Sequence, residues 1–132
     1  ITMINLCKEL NIDLIAYSPL AFGVLCISDD NMKLPSSIIR KNLFIKLLKG
    51  SQELRKGINE IAIERDVSMA QVALNWCRSY GAIPIPGIRT PDQAIDTIKA
   101  LKWKLSNKER TRLNYLQKDC QARMPSNPFS SS

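Results

Sequence analysis

The chain has 132 residues, 45% of them hydrophobic and 23% charged, with a formal net charge of +7 and no histidine. Those fractions are too apolar for a disordered chain and suit one domain or part of a larger one. A membrane-spanning helix, which needs ~20 uninterrupted apolar residues, is excluded because Asp13, Ser18, Pro19 and Gly23 break the longest apolar stretch; no basic-then-apolar leader opens the sequence.

An intracellular, cytoplasmic setting is therefore expected. The sequence starts ITMINLCKEL, without Met at position 1, so residue 1 need not be a natural terminus. Cysteines stand at 7, 26, 77 and 120, in no CxxC pattern. Without histidine they make a zinc site improbable, and they read as small buried hydrophobes in a reducing compartment. Basic residues are spread along the chain except in RKNLFIKLLK, residues 40–49. Such a segment can lie on a membrane or bind a partner, but it is more often the solvated face of a helix over a core, and that reading is preferred. No zinc-finger, RNP-like or KH-like motif points to nucleic acid.

Met3, Leu6, Cys7 and Leu10 follow the spacing of a helix with one buried face, stopped near Asn11. IDLIAY, residues 12–17, predicts a strand buried on both sides. From Ser18 to about Ser51 the pattern is irregular, with the basic segment as a short helix; a connection of that length is usually functional or mobile. Leu54, Ile58 and Ile61 restore helical period over 52–66, with Arg65 at the helix edge. Ser68 predicts the cap of another helix, in which Ala70, Ala73, Leu74 and Cys77 share a face and which Gly81 ends.

AIPIP, residues 82–86, predicts a second short strand, its prolines suiting a strand end. Thr90-Pro91-Asp92-Gln93 has the form of a capping box, and Ala94, Ile98 and Leu101 continue a buried face. Ser106 and Glu109 repeat the box before a last helix through Leu113, Leu116 and Cys120; residues 122–132 predict a flexible, turn-rich tail. Strands alternating with helices argue for a parallel α/β architecture. Two strands alone cannot form a stable sheet, so the chain is expected to be the end of something longer.

Three segments carry an identity: Leu14-Ile-Ala-Tyr-Ser-Pro-Leu-Ala-Phe-Gly-Val-Leu25, Ser68-Met-Ala-Gln-Val-Ala-Leu-Asn-Trp76 and Ile83-Pro-Ile-Pro-Gly-Ile-Arg-Thr-Pro-Asp-Gln-Ala94. In this order and spacing they resemble the last third of the aldo-keto reductases, NAD(P)H-dependent (β/α)8-barrel oxidoreductases, over residues 4 to about 118. The resemblance implies the C-terminal part of a TIM barrel, about the last two βα units plus a helix and tail, with residues 1–121 in the reductase domain. IDLIAY would be strand seven and AIPIP strand eight, and functional loops follow the C-terminal ends of such strands.

On that resemblance Tyr17 stacks on the nicotinamide of NADPH, the other reading being a half-buried strand aromatic. Ser18, Leu20 and Gly23 line the pyrophosphate stretch. Gly87 shapes the second turn. Arg89, before a helix N-terminus, faces the adenosine 2′-phosphate, and on it rests the choice of NADPH over NADH. Thr90 adds a hydroxyl, and Gln93 and Asp96 match positions at the adenine end, although Thr90 and Gln93 also serve the capping box. The sequence departs from the family's Gly-Leu-Leu-Thr-Gly-Lys at Ile27 and Ser28, and from its usual Asn at Thr97.

In this family an active-site Tyr protonates the substrate carbonyl, tuned by Lys, Asp and usually His, on the first four strands. Nothing here corresponds to those strands, and Tyr80 and Tyr115, in helix patterns, receive no catalytic role. The function expected is a fragment of an NADPH-dependent reductase of aldehydes or ketones, supplying cofactor loops without the catalytic tetrad. The alternative is a noncatalytic nucleotide-binding or regulatory module. The tail around Met124 to Phe129 is a candidate border of a substrate pocket.

Overall fold

The computed structural model describes residues 2–32, 34–36 and 38–123. Helix α1 (Met3–Glu9) leads into strand β1 (Leu14–Tyr17), two short 3-10 segments (Ala21–Cys26 and Asp29–Asn31) and helices α2 (Ile38–Gly50), α3 (Gln52–Arg65) and α4 (Met69–Arg78). Strand β2 (Ala82–Ile85), α5 (Pro91–Lys99), a 3-10 turn (Ala100–Lys102) and α6 (Asn107–Lys118) complete the order. The strands form a two-stranded parallel sheet in which Leu14 pairs with Ala82 and Tyr17 with Ile85.

The caps act as the residue types dictate. The side chains of Thr2, Ser68 and Thr90 accept from the amides of Asn5, Gln71 and Gln93, each three residues on. Ser106 and Glu109 form the reciprocal box, with Ser106 N–H donating to Glu109 at 2.6 Å. Asn11 and Gly81, both at positive φ, turn the chain out of α1 and into β2. The basic segment is longer than expected: α2 runs thirteen residues, burying Leu47 and Leu48 while Lys41, Lys46 and Lys49 stay exposed. Pro84 lies inside β2, opposite Ala16, rather than at a strand end. Its missing N–H is tolerable because β2 is an edge strand.

The main core sits between helices rather than on the sheet. Leu54, Ile58, Ile61 and Ala62 of α3 meet Met69 and Val72 of α4 and Leu113 of α6. A second cluster joins Val24 of the first loop to Leu47 and Leu48 of α2. Gly50 carbonyl accepts from the amides of Gln121 and Ala122, which ties the end of the described chain to this cluster. Residues 124–132, and with them the candidate substrate border at Met124 to Phe129, lie outside the described residues.

Three faces expected to be buried are open among the described residues. Met3, Leu6 and Leu10 on α1 are exposed, as are Ile98 on α5 and Leu101 just after it. Strand burial alternates instead of covering both sides: Ile15, Tyr17, Ile83 and Ile85 are 60%, 68%, 50% and 53% exposed on one face. The other face, with Leu14, Ala16, Ala82 and Pro84, is half-buried on the side where α4 packs. Periodicity marks which face of an element is apolar, whereas burial needs a second surface to cover it. No described element supplies that surface.

Arg65, at the end of α3, binds Glu109 through two bonds of 2.5 and 2.8 Å and lies 4.9 Å from the Trp103 ring centroid. The Arg65 bond first, and then bonds from Ser106, hold the Glu109 carboxyl down at about 2, against 4.5 for an ordinary glutamate. A depressed carboxyl stabilises the fold above its unfolded value, and that contribution fades as pH falls from about 4.5 toward about 2. Glu109→Gln should therefore lower the urea midpoint at pH 6 and leave it nearly unchanged at pH 2, so that the two proteins converge on acidification. A constant gap across that range would show that the ion pair contributes nothing.

Candidate cofactor-binding site

Because β1 and β2 are parallel and in register, the segments following Tyr17 and Ile85 leave the same end of the sheet. Tyr17 presents its ring on the open face at that end. The chain then turns sharply through left-handed backbone at Ser18, Ala21 and Phe22, and at Gly23 with φ 90°. Such conformations are costly for non-glycine residues and collect where surrounding structure over-determines them. Here Ser18 carbonyl accepts from Ala21 N–H, Leu20 carbonyl accepts from Gly23 N–H, both at 2.9 Å, and Val24 is buried. No atom lies within 4 Å of where a Gly23 side chain would begin. Leu20 is half-buried.

Arg55 secures the far end of this loop. It is 3% exposed, and its guanidinium donates to Ile27 carbonyl at 2.6 Å and to Asp29 Oδ1 at 2.7 Å. The first turn of α3 thereby holds the stretch containing Ile27 and Ser28, where the sequence departs from the family pattern.

In the second segment Gly87 is exposed with open space around its Cα, and Thr90 caps α5. Gln93 does not close a box on the Thr90 amide. Its Oε1 accepts from Arg89 N–H at 2.8 Å, which fixes the Arg89 backbone while the side chain stays exposed. A guanidinium beside a helix N-terminus favours an anion through its own charge and the helix dipole; the Gln93 N–H is already taken by Thr90 and Pro91 has none. Asp96 is engaged inward: Ser68 Oγ donates to it at 2.5 Å and Gln71 Nε2 at 2.6 Å. Burial first, and then the Asp96 charge, push the Cys26 thiol up to about 11. Burial above all keeps the thiol protonated at neutral pH.

The structure thus starts the two segments singled out from sequence at one end of the sheet, while Asp96 lies further along α5 against α4. Arg55, Gln71 and Trp103, and the contact of Ser68 with Asp96, were not legible beforehand. Their partners lie 26, 25, 32 and 28 residues away, so no local motif carries them. Tyr80 donates to Asn114 at 2.5 Å between α4 and α6, a structural use, and Tyr115 is exposed on α6. Among the described residues no group of His, Cys, Asp and Glu could hold a metal ion.

Two parallel βα units with both following loops at the strand C-terminal ends form part of a (β/α)8 barrel, not closed. The Aldo/keto reductase family model matches residues 2–118, and the chain belongs to that family. It is similar to the chloroplastic pyridoxal reductase of Arabidopsis thaliana, 42% identical over 125 residues, covering 95% of this chain and 34% of that protein. It is also similar to an aldo-keto reductase of Gibberella moniliformis, 26% identical over 114 residues, covering 81% of this chain and 35% of that protein. The fold matches the crystal structure of an aldo-keto reductase enzyme from a Medee basin deep-sea metagenome library, with a TM-score of 0.61 at 19% identity, covering 97% of this chain and 37% of that one. The chain spans about a third of the length of the curated relatives it matches. No helix among the described residues is long and apolar enough to cross a membrane.

Proposed function

We propose that these residues are the cofactor-binding end of an NADPH-dependent reductase that converts an aldehyde or ketone to an alcohol, as the C-terminal part of a longer polypeptide. The observation that carries this reading is the register of Tyr17 with Ile85, which sends both cofactor segments out of one end of the sheet. The residues present fit the dinucleotide: an aromatic face is exposed at Tyr17, open space surrounds Gly23 and Gly87, and Arg89 stands at a capped helix N-terminus. When bound, the cofactor supplies the hydride. Tyr17 orients the nicotinamide face. Ser18, Leu20 and Gly23 accommodate the pyrophosphate, and Arg89 with Thr90 receives the 2′-phosphate. Gln93 and Asp96 border the adenine. The proton for the carbonyl oxygen comes from residues outside these 132. Four free cysteines fit a reducing compartment, here read as the cytoplasm.

The test is activity of the polypeptide that carries these residues on barrel strands one to six as well. It should oxidise NADPH in the presence of an aldehyde; pyridoxal, the substrate in the name of the 42%-identical relative, is the first to try. No NADPH oxidation with any of a panel of aldehydes and ketones would reject the reading. The 132 residues alone should quench or shift NADPH fluorescence only at millimolar concentrations, because the open sheet face and α1 leave much of the cofactor wall absent. Micromolar saturable binding would show that the missing wall is unnecessary.

A further inference from the structure

A hydroxyl followed by proline occurs twice in the chain, at Ser18-Pro19 and at Thr90-Pro91. The two pairs are presented differently. Ser18 is half-buried in left-handed backbone at φ 48°, and Pro19 after it is buried. Thr90 lies within residues 87–93, seven consecutive exposed residues, and residues 86–89 before it belong to no helix or strand. Its own backbone is extended, at φ −132° and ψ 155°, the region that the following proline ring favours. A protein kinase needs an accessible hydroxyl on an extended segment, and a proline-directed one also needs a ring with no N–H at the next position. Thr90 meets those demands as the chain is folded, whereas Ser18 does not.

The surroundings of Thr90 can hold a phosphate without losing the helix. Thr90 Oγ1 accepts from Gln93 N–H at 3.2 Å as the cap of α5, and an esterified oxygen with its phosphate oxygens keeps that acceptor. Arg89, next in the chain, is exposed and cationic, and Asp92 in the first turn of α5 carries the opposing charge. Those two charges cancel, so a phosphate of about two negative charges leaves this spot net anionic.

We infer that Thr90 is a phosphorylation site for a proline-directed kinase, and that its phosphate switches off NADPH binding by engaging Arg89 and repelling the 2′-phosphate. The inference rests on the proposed cofactor site, which puts the 2′-phosphate at Arg89 and Thr90. In the modifying step Thr90 Oγ1 attacks the γ-phosphorus of a nucleoside triphosphate. The Oγ1–P bond forms as the bond from that phosphorus to the β–γ bridging oxygen breaks; the nucleoside diphosphate leaves and the hydroxyl proton passes to a base of the kinase. NADH brings no 2′-phosphate to this spot, so the modification shifts the choice of cofactor rather than abolishing dinucleotide binding.

The experiment treats the complete reductase with a proline-directed kinase and ATP, maps the phosphate by mass spectrometry, and titrates NADPH and NADH by fluorescence before and after. Phosphate should appear on Thr90 and not on Ser18, and Pro91→Ala, which keeps the hydroxyl, should prevent it. The modified protein should show a Kd for NADPH raised roughly tenfold or more, with that for NADH changed less than about threefold. Thr90→Glu should weaken NADPH more than Thr90→Gln, which has the same shape without the charge, while the two variants bind NADH alike. A Thr90 left unmodified by the kinase overturns the inference. So does a phosphorylated protein that loses both dinucleotides equally, since the phosphate then disturbs the fold, and in either case the cofactor site stands. An unmodified reductase that binds neither dinucleotide overturns the site and this inference together.

Discussion

Arg89→Ala in the complete reductase is expected to raise the Kd for NADPH by roughly ten- to a hundredfold while changing that for NADH less than about twofold. The two cofactors differ only in the 2′-phosphate, so their comparison isolates the group that Arg89 is proposed to meet. A charge-assisted bond to phosphate is stronger than a neutral one, and here it is reinforced by the capped N-terminus of α5. Exposure of the side chain keeps the effect below that of a buried pair and makes it salt-dependent. Repeating the titration at high salt should shrink the difference. Equal weakening of NADPH and NADH would sink the 2′-phosphate role, and with it the preference for NADPH. Gln93→Ala should give a smaller loss in the same direction, because it frees the Arg89 backbone without removing the charge.

Arg55→Met should destabilise the fold by roughly 2–4 kcal/mol and expose the loop after β1 to protease. The methionine keeps the apolar stem but strands the Ile27 carbonyl, which Arg55 binds at 2.6 Å. Asp29→Asn should cost about 1 kcal/mol, since Asp29 is 53% exposed on its side chain and water screens much of the pair. The ordering matters more than either value. A carbonyl anchor predicts that Arg55→Met exceeds Asp29→Asn, whereas a dominant ion pair predicts near equality. Urea denaturation of the complete protein gives the comparison, and limited proteolysis between Leu20 and Asn31 reports whether the loop is released. An intact loop in Arg55→Met would show that Val24 in the second cluster anchors it unaided.

Both effects depend on parts of the fold that differ in how far sequence disclosed them. The Arg89 placement follows from Thr90-Pro91 opening a helix, a signal contained in consecutive residues. Its backbone partner was half legible: Gln93 was expected to close a box on Thr90, and it reaches one residue further back, to Arg89. The Arg55 clamp was not legible at all. In sequence Arg55 is one cation in a helix after a basic segment, and nothing near it marks Ile27 or Asp29 as partners. The length of α2 was also underestimated, because its Leu and Phe residues are interleaved with lysines and give it little amphipathic contrast.

The sequence by itself determined most local events: where every helix but α2 begins and stops to within a few residues, which short apolar runs become strands, and which family motifs follow the strand ends. Caps, turns and strand alternation are contacts within about four residues, so composition and spacing suffice to specify them. It also determined that Met3, Leu6, Ile15, Ile83, Ile98 and Leu101 lie on apolar faces. Only the tertiary structure decided that those faces are open while the core gathers between α3, α4 and α6. It alone turned Asp96 toward Ser68 and Gln71 and brought Cys26 within reach of that charge. Covering a face, orienting a carboxylate and clamping a loop each require a partner 25 or more residues away in these bonds, and chain spacing does not encode such meetings.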